Sequence, residues 1–387
     1  MSAPTRSKSR DATGNLPPVR RLAQVRVAFD EQIFALQAYG GISRLFAELA
    51  SQFLREPELG VELLPLNAPV INRYALDDDL VRTRLAVREA KHEYYSLMRY
   101  LARLQPRRGN EIVHNTFYLP HGLSGYPGAK RIVTVHDMIP ERMPETRRRL
   151  DFLTLKKRYV MNADHVICVS EATKRDLLDL YGGIEAPISV VHHGVDSRFT
   201  PGAVASPRLP ERYVLFVGNR GAYKDANVLV RAFAEITHLD PKLELLFVGG
   251  GSFTSAENTL IQDLGLEDRT SQIALTDDQM PSAYGNALMS VFPSRFEGFG
   301  LPALEAMACG TATILARATS LPEVGGDAAL YFTPGDVGEL SESMQKVLSD
   351  VDLRQQLEQA GVVRASQFTW RRCAEQTVAA YEAALAN

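Results

Sequence analysis

The sequence is poor in cysteine, in long apolar runs and in net charge, and each shortage excludes something. Three cysteines, Cys168, Cys309 and Cys373, stand far apart in 387 residues. An odd, scattered set offers neither a disulfide framework nor metal-ligand spacing, so reduced thiols and a cytoplasmic location are expected. No uninterrupted apolar stretch nears the roughly 18 residues that a membrane-spanning helix needs. The N-terminus is polar through Pro18, lacks the apolar core of a signal peptide, and is expected to be a disordered tail over residues 1–22. The net charge is only −3. With no recognisable nucleic-acid motif, that balance disfavours a nucleic-acid partner.

What is present begins with an uneven distribution of that charge. Residues 1–200 carry a balance of +6 and residues 201–387 one of −9. Basic residues interleave with aromatic and apolar ones over Arg88–Arg108, and Arg147, Arg148, Arg149, Lys156, Lys157 and Arg158 form a second cluster. Two readings stay open: contact with an anionic membrane surface or lipid phosphate, or ordinary solvated helix faces.

Both halves alternate short β-rich runs with helical stretches. Strands are expected at Val25–Phe29, Val61–Leu66, Glu111–His114, Arg131–Val135, His165–Val169 and Ile188–Val191. A second set is expected at Tyr213–Val217, Leu243–Val248, Gln272–Leu275, Leu288–Phe292, Ala312–Leu315 and Ala329–Phe332. Most are continuous apolar runs, as parallel strands covered on both faces require. Ile42, Leu45, Phe46, Leu49 and Phe53 recur at helical steps and mark one buried stripe. The α/β alternation implies two doubly wound, Rossmann-like sheets. Residues 23–196 form the first expected domain and residues 213–368 the second. The Pro-rich stretch 197–212 links them, and residues 369–387 form a last helix.

The most informative segment runs from Pro293 to Gly310, PSRFEGFGLPALEAMACG. It follows an apolar strand and opens a helix, with Pro302 in the first turn and Gly310 suited to the left-handed residue past its end. The loop at Gly298 and Gly300 therefore lies at the carboxyl edge of a sheet beside a helix N-terminus, where exposed N–H groups and the helix dipole favour phosphate. Glu297 and Glu305 stand near the same edge, and carboxylates so placed accept hydrogen bonds from sugar and ribose hydroxyls. Gly40-Gly41, between a strand and an amphipathic helix, lets backbone approach a phosphate closely. His136 and Asp137 end the strand Arg131–Val135. Ser170 reads chiefly as a helix cap, with Thr173 and Lys174 adding little. His192 and His193 are adjacent on extended chain, so their side chains diverge and suit no shared metal. Asp77-Asp78-Asp79 reads as a helix start rather than a metal clamp.

Glu297 and Glu305 form an E-x7-E pair, followed by Ser320-Leu321-Pro322-Glu323-Val324 and Gly326-Asp327-Ala328-Ala329. Together they resemble the retaining GT-B glycosyltransferases of family GT4. The N-terminal Phe29-Asp30-Glu31-Gln32-Ile33-Phe34 and Tyr39-Gly40-Gly41-Ile42-Ser43-Arg44 are similar to the bacterial mannosyltransferase-like branch that builds O-antigen and exopolysaccharide chains. The resemblance implies a GT-B fold with a cleft between an acceptor-binding and a nucleotide-sugar-binding domain, the last helix crossing back to the first. It implies that Glu305 binds the nucleotide ribose, that Glu297 contacts the donor sugar, and that the backbone at Phe299, Gly300 and Leu301 meets sugar and pyrophosphate. Gly218-Asn219-Arg220-Gly221-Ala222-Tyr223-Lys224 resembles the family's G-R-x4-K segment. Lys224 falls in register, while Asn219 takes the arginine's place and Arg220 follows one later; both cations are expected on the leaving diphosphate. His136 is implied to contact the donor sugar.

The activity so implied is transfer of a hexose, mannose from GDP-mannose, to a saccharide or lipid-linked acceptor in surface polysaccharide synthesis. No metal or other cofactor is expected. A hydrolysing nucleotide-sugar epimerase on the same fold and a non-catalytic sugar- or lipid-binding protein are the alternatives. The expected location is cytoplasmic, at the inner membrane face if the basic clusters serve lipid.

Overall fold

The computed structural model describes residues 24–90, 111–123, 126–146, 150–204 and 206–387. The expected N-terminal tail, most of the Arg88–Arg108 stretch and Arg147–Arg149 lie outside them.

Two six-stranded sheets, every pairing parallel, form the frame. The first holds β1 (Val25–Phe29), β2 (Val61–Leu63), β5 (Ile112–Asn115), β6 (Lys130–Val135), β7 (His165–Cys168) and β8 (Ile188–Val190), in the order β2-β1-β5-β6-β7-β8. The second holds β9 (Tyr213–Val217), β10 (Glu244–Val248), β11 (Thr270–Ile273), β12 (Met289–Phe292), β13 (Thr313–Ala316) and β14 (Leu330–Phe332), in the order β11-β10-β9-β12-β13-β14. All twelve expected strands are present, two with the expected bounds and the others with ends shifted by one to three residues. A two-stranded ribbon of β3 (Pro69–Val70) and β4 (Arg88–Glu89) was not foreseen, being too short to carry a periodic signal.

Strand order reverses between β1 and β5 in one sheet and between β9 and β12 in the other. In open parallel sheets the crevice outside the carboxyl ends at such a reversal is where ligands bind. The loops leaving β1, β9 and β12 carry Gly40-Gly41, Gly218–Lys224 and Pro293–Gly300 respectively, so the topology delivers those segments to the two crevices.

Each sheet is buried on both faces, which explains the unbroken apolar strands. Val214, Leu215, Leu245, Leu246, Phe247 and Val291 pack with the helix Ala226–Ile236 in the second core. Phe46, Leu49 and Phe53 pack on the first sheet from the helix Gly41–Arg55, along the stripe read from the sequence, with Phe46 and Phe53 meeting Phe29 of β1. The last helix, Trp370–Ala386, belongs to that same first core through Cys373, Ala374, Tyr381 and Ala384. Tyr381 reaches His114 on β5 with its hydroxyl 2.8 Å from Nδ1. Asp78 caps the helix Asp79–Arg84 by accepting from the N–H of Leu80 and Val81, so the aspartate run does start a helix. The Phe29-Asp30-Glu31-Gln32 segment is also structural in part. Buried Asp30 accepts from Asn115 and from both N–H and hydroxyl of Thr116, tying the carboxyl ends of β1 and β5 together.

Among the described residues, no helix is long and apolar enough to cross a membrane. The second basic cluster does not form one solvated face. Lys156 is 2% exposed, with its ammonium on the Asp137 carbonyl and 3.2 Å from Glu141. Lys157 lies over the Tyr181 ring. Lysine is buried only when its charge is paired, and here the pairing holds the loop after β6.

Candidate active site

The helix Leu301–Ala308 sets the geometry. Gly300 precedes it with φ 111°, a conformation disfavoured for side-chain-bearing residues, and Gly310 follows it with φ 74°. Pro302 fits the first turn, where a missing N–H costs nothing. The loop before the helix is held by the chain after β13: Thr319 exchanges hydrogen bonds with the Glu297 backbone, and Ser320 donates to the carbonyls of Glu297 and Phe299.

This loop is pressed against the other half of the chain. A Cβ on Gly298 would collide with the carbonyl oxygen of His136, so only glycine fits there. The Gly298 carbonyl accepts from Ser170 at 2.7 Å and from Thr173 at 3.1 Å. Ser170 also caps its own helix by accepting from the Thr173 N–H, as expected. The interdomain bond from Thr173 corrects the expectation that it adds little. A Cβ on Gly41 would stand 3.4 Å from Leu301, which places the Gly40-Gly41 turn opposite the mouth of the Glu305 helix.

Lys224 and Glu297 form an ion pair at 2.5 Å, each side chain 13% exposed. Burial pulls the Lys224 ammonium down, but the Glu297 carboxylate outweighs it and holds the pKa above its ordinary value. Lys224 therefore stays charged at the cleft edge. Arg220 has other partners. Its guanidinium donates to Glu257 at 2.6 Å and to the carbonyls of Gly249, Gly251 and Ser252 at 2.8–3.0 Å. Three of these bonds hold the loop after β10 and the fourth the helix Ser255–Asp263 that follows it.

His136 is 8% exposed, and neither ring nitrogen has a hydrogen-bond partner among the described residues. Burial, assisted by His193, His114 and Lys156, pushes its pKa well below the ordinary value. A neutral imidazole offers one donor and one acceptor, and leaving both unpaired in a protein interior is costly. Such a side chain beside the Gly298 loop is suited to a polyhydroxy ligand.

Glu305 is 7% exposed, and each of its oxygens accepts one hydrogen bond. One oxygen accepts from Arg44 at 2.5 Å and the other from Tyr284 at 2.9 Å. The same guanidinium pairs with Asp277 and approaches the Tyr74 hydroxyl at 3.3 Å. Arg44 was quoted in the sequence only as part of a motif, and its partnership with a residue 261 positions away carries no local signal. Phe299 has its ring packed against His192, His193 and Phe368. Glu323 accepts from His192 at 2.6 Å. The two histidines thus share the Phe299 ring, while His193 Nδ1 has no hydrogen-bond partner among the described residues.

Two family models match. Glycosyltransferase Family 4 covers residues 39–199, and Glycosyl transferases group 1 covers residues 204–363. The chain is 32% identical over 309 residues to the MMP alpha-(1->4)-mannosyltransferase of Mycolicibacterium hassiacum, covering 73% of each chain. It is 29% identical over 282 residues to the O-antigen chain mannosyltransferase B of Escherichia coli, covering 69% of this chain and 72% of that one. Among solved structures, Anabaena Alr3699/HepE in complex with UDP and glucose superposes with a TM-score of 0.72 at 18% identity, over 93% of this chain and 100% of that one.

Proposed function

Because the chain belongs to the GT4 glycosyltransferases and has their GT-B fold, we propose that it moves mannose from GDP-mannose onto a saccharide or lipid-linked saccharide, retaining the anomeric configuration. Glycosyl transfer rests on the family. The mannose donor rests on the two mannosyltransferase relatives, while the superposed Anabaena structure holds UDP and glucose, which makes the base the first thing to test.

One observation carries the site: the Lys224–Glu297 pair stands at the reversal point of the second sheet, beside the loop seated on His136. Breaking the sugar–diphosphate bond develops negative charge on the leaving oxygen and positive charge at the anomeric carbon. Lys224 and the backbone N–H groups at Gly300 and Leu301 would stabilise the leaving diphosphate, an effect strongest in a closed, water-poor cleft. Glu297 would receive a hydroxyl of the donor sugar as Lys224 turns to the phosphate. His136, neutral and unpaired, would hold a second hydroxyl, and Glu305 the ribose. The acceptor hydroxyl attacks from the face the diphosphate leaves, and the departing oxygen takes its proton. Positive charge from Lys224 makes a divalent cation dispensable in this scheme.

Radiolabelled GDP-mannose incubated with the protein and bacterial lipid extract is expected to yield a labelled saccharide whose new bond keeps the donor's anomeric configuration. Turnover should survive excess chelator. Thermal stabilisation by GDP-, UDP- and dTDP-sugars ranks the bases, since ligand at about 100 times its dissociation constant stabilises by about 2.7 kcal/mol. Binding without turnover would favour the non-catalytic alternative, and free mannose without transfer a hydrolase.

A further inference from the structure

Arg44 reaches across from the helix Gly41–Arg55 into the other half of the chain, where it is 8% exposed. Its two terminal nitrogens take different carboxylates, Glu305 at 2.5 Å and Asp277, and its guanidinium carbon lies 4.8 Å from the centre of the Tyr74 ring. A planar fork with two anionic partners and an aromatic neighbour is held in one orientation, which a lysine would not reproduce fully. Removing one partner of such a buried pair leaves the other uncompensated.

We propose that Arg44 is the positioning residue for Glu305: supplied by the opposite half, it orients this carboxylate and keeps it ionised so that its remaining lone pairs accept the ribose hydroxyls of a nucleoside-diphosphate sugar. The proposal rests on the reading that Glu305 meets the donor ribose, and it adds that donor recognition requires both halves together. Tyr284 fixes the second oxygen, leaving the carboxylate no freedom to turn. Asp277 anchors the guanidinium from the outer side.

Electrostatics agree with the geometry. Burial pushes Glu305 above its ordinary value with Asp277 adding to the rise, and Arg44 and the Tyr284 hydroxyl offset part of it. The ionisable groups facing it are Arg44, Asp277, Tyr284, Tyr74 and Cys309. Burial raises the pKa of both tyrosines and pushes Cys309 up to about 12. Without Arg44, burial would act on Glu305 unopposed by any cation among these groups.

The test compares binding of GDP with 2′,3′-dideoxy-GDP by calorimetry from pH 5.5 to 8.5, with UDP and its dideoxy analogue in parallel. Wild-type protein is expected to prefer the full ribose about tenfold at every pH, one hydrogen bond to a charged group being worth roughly that. Arg44→Gln is expected to lose the preference toward the acid end of this range and to regain it as the pH rises and Glu305 ionises. Arg44→Lys should retain most of it. A folded Arg44→Gln with wild-type preference throughout overturns the proposal, as does loss without recovery at high pH, which would mean that Arg44 touches the ligand itself. If Arg44→Gln does not fold, Asp277→Asn decides: a preference reduced about threefold supports the anchoring, and an unchanged one overturns it. Glu305→Gln separates the underlying reading. If that variant keeps the full preference, or wild-type protein binds neither nucleotide, the ribose assignment fails; if it loses the preference while Arg44→Gln does not, only the role of Arg44 fails.

Discussion

Glu323, in the second half of the chain, caps a helix in the first: its two carboxylate oxygens accept the backbone N–H of Glu171 at 2.8 and 3.0 Å. The N–H of Ala172 and the ring of His192 complete the arrangement. Burial pushes Glu323 up, but His192 and the two backbone N–H groups outweigh it, so its pKa lies below the ordinary 4.5. A depressed carboxyl adds stability above its unfolded value and loses it as the pH falls through the folded one. Glu323→Gln is therefore expected to lose about 1 kcal/mol at pH 7. In urea titrations the gap to wild type should narrow as the pH falls from 7 to 3.5; a gap of equal size at both pH values would contradict the capping role.

In the proposed scheme Lys224 is the cation that meets the leaving group. Lys224→Met is expected to reduce kcat by about 10²-fold or more, the scale of losing one transition-state charge donor. Its effect on nucleotide-sugar KM should be smaller. A loss below threefold in steady-state assays would remove Lys224 from the chemistry.

Arg220 is expected to behave in the opposite way. Arg220→Ala breaks the bonds to Glu257 and three carbonyls and should cost about 2–4 kcal/mol in unfolding free energy. The surviving folded enzyme should keep kcat within about tenfold. If kcat falls as far as in Lys224→Met while thermal stability is unchanged, Arg220 works on the diphosphate after all.

Four buried imidazoles, His114, His136, His165 and His193, each held below its ordinary pKa by burial, give the protein a specific acid sensitivity. Burial holds His114 and His193 down to about 3, and His136 well below its ordinary value. Neutral in the folded chain and protonated when unfolded near pH 5, each makes stability rise with pH between its folded value and about 6.5. Each should contribute about 1.4 kcal/mol per pH unit in that window. Denaturant titrations from pH 4.5 to 7 should show this slope, and His193→Asn should reduce it by about one proton. A flat profile would mean that these rings charge in the folded state.

The frame of the molecule was legible because its strands are buried on both faces, which leaves unbroken apolar runs such as Tyr213–Val217. The glycine loop and its following helix were legible because Gly300, Pro302 and Gly310 each answer a local backbone demand. The pairings of Arg44 with Glu305, Thr173 with Gly298 and Glu323 with Glu171 were not. They join segments 261, 125 and 152 residues apart, and their existence depends on how the two sheets face each other. The carbonyls of Gly249, Gly251 and Ser252 around Arg220 were hidden for a related reason, since they lie about 30 residues away along the chain.

The helix Trp370–Ala386 has a consequence for synthesis. It walls the first sheet through Tyr381 and Ala384, yet it leaves the ribosome after every strand of both sheets. The whole first sheet emerges before its cover has been translated, so the early product exposes Phe53 and its apolar neighbours until this helix is released. A premature stop before Trp370 would consequently unmake the first sheet, and the two sheets cannot be cut apart between β8 and β9 without carrying this piece along.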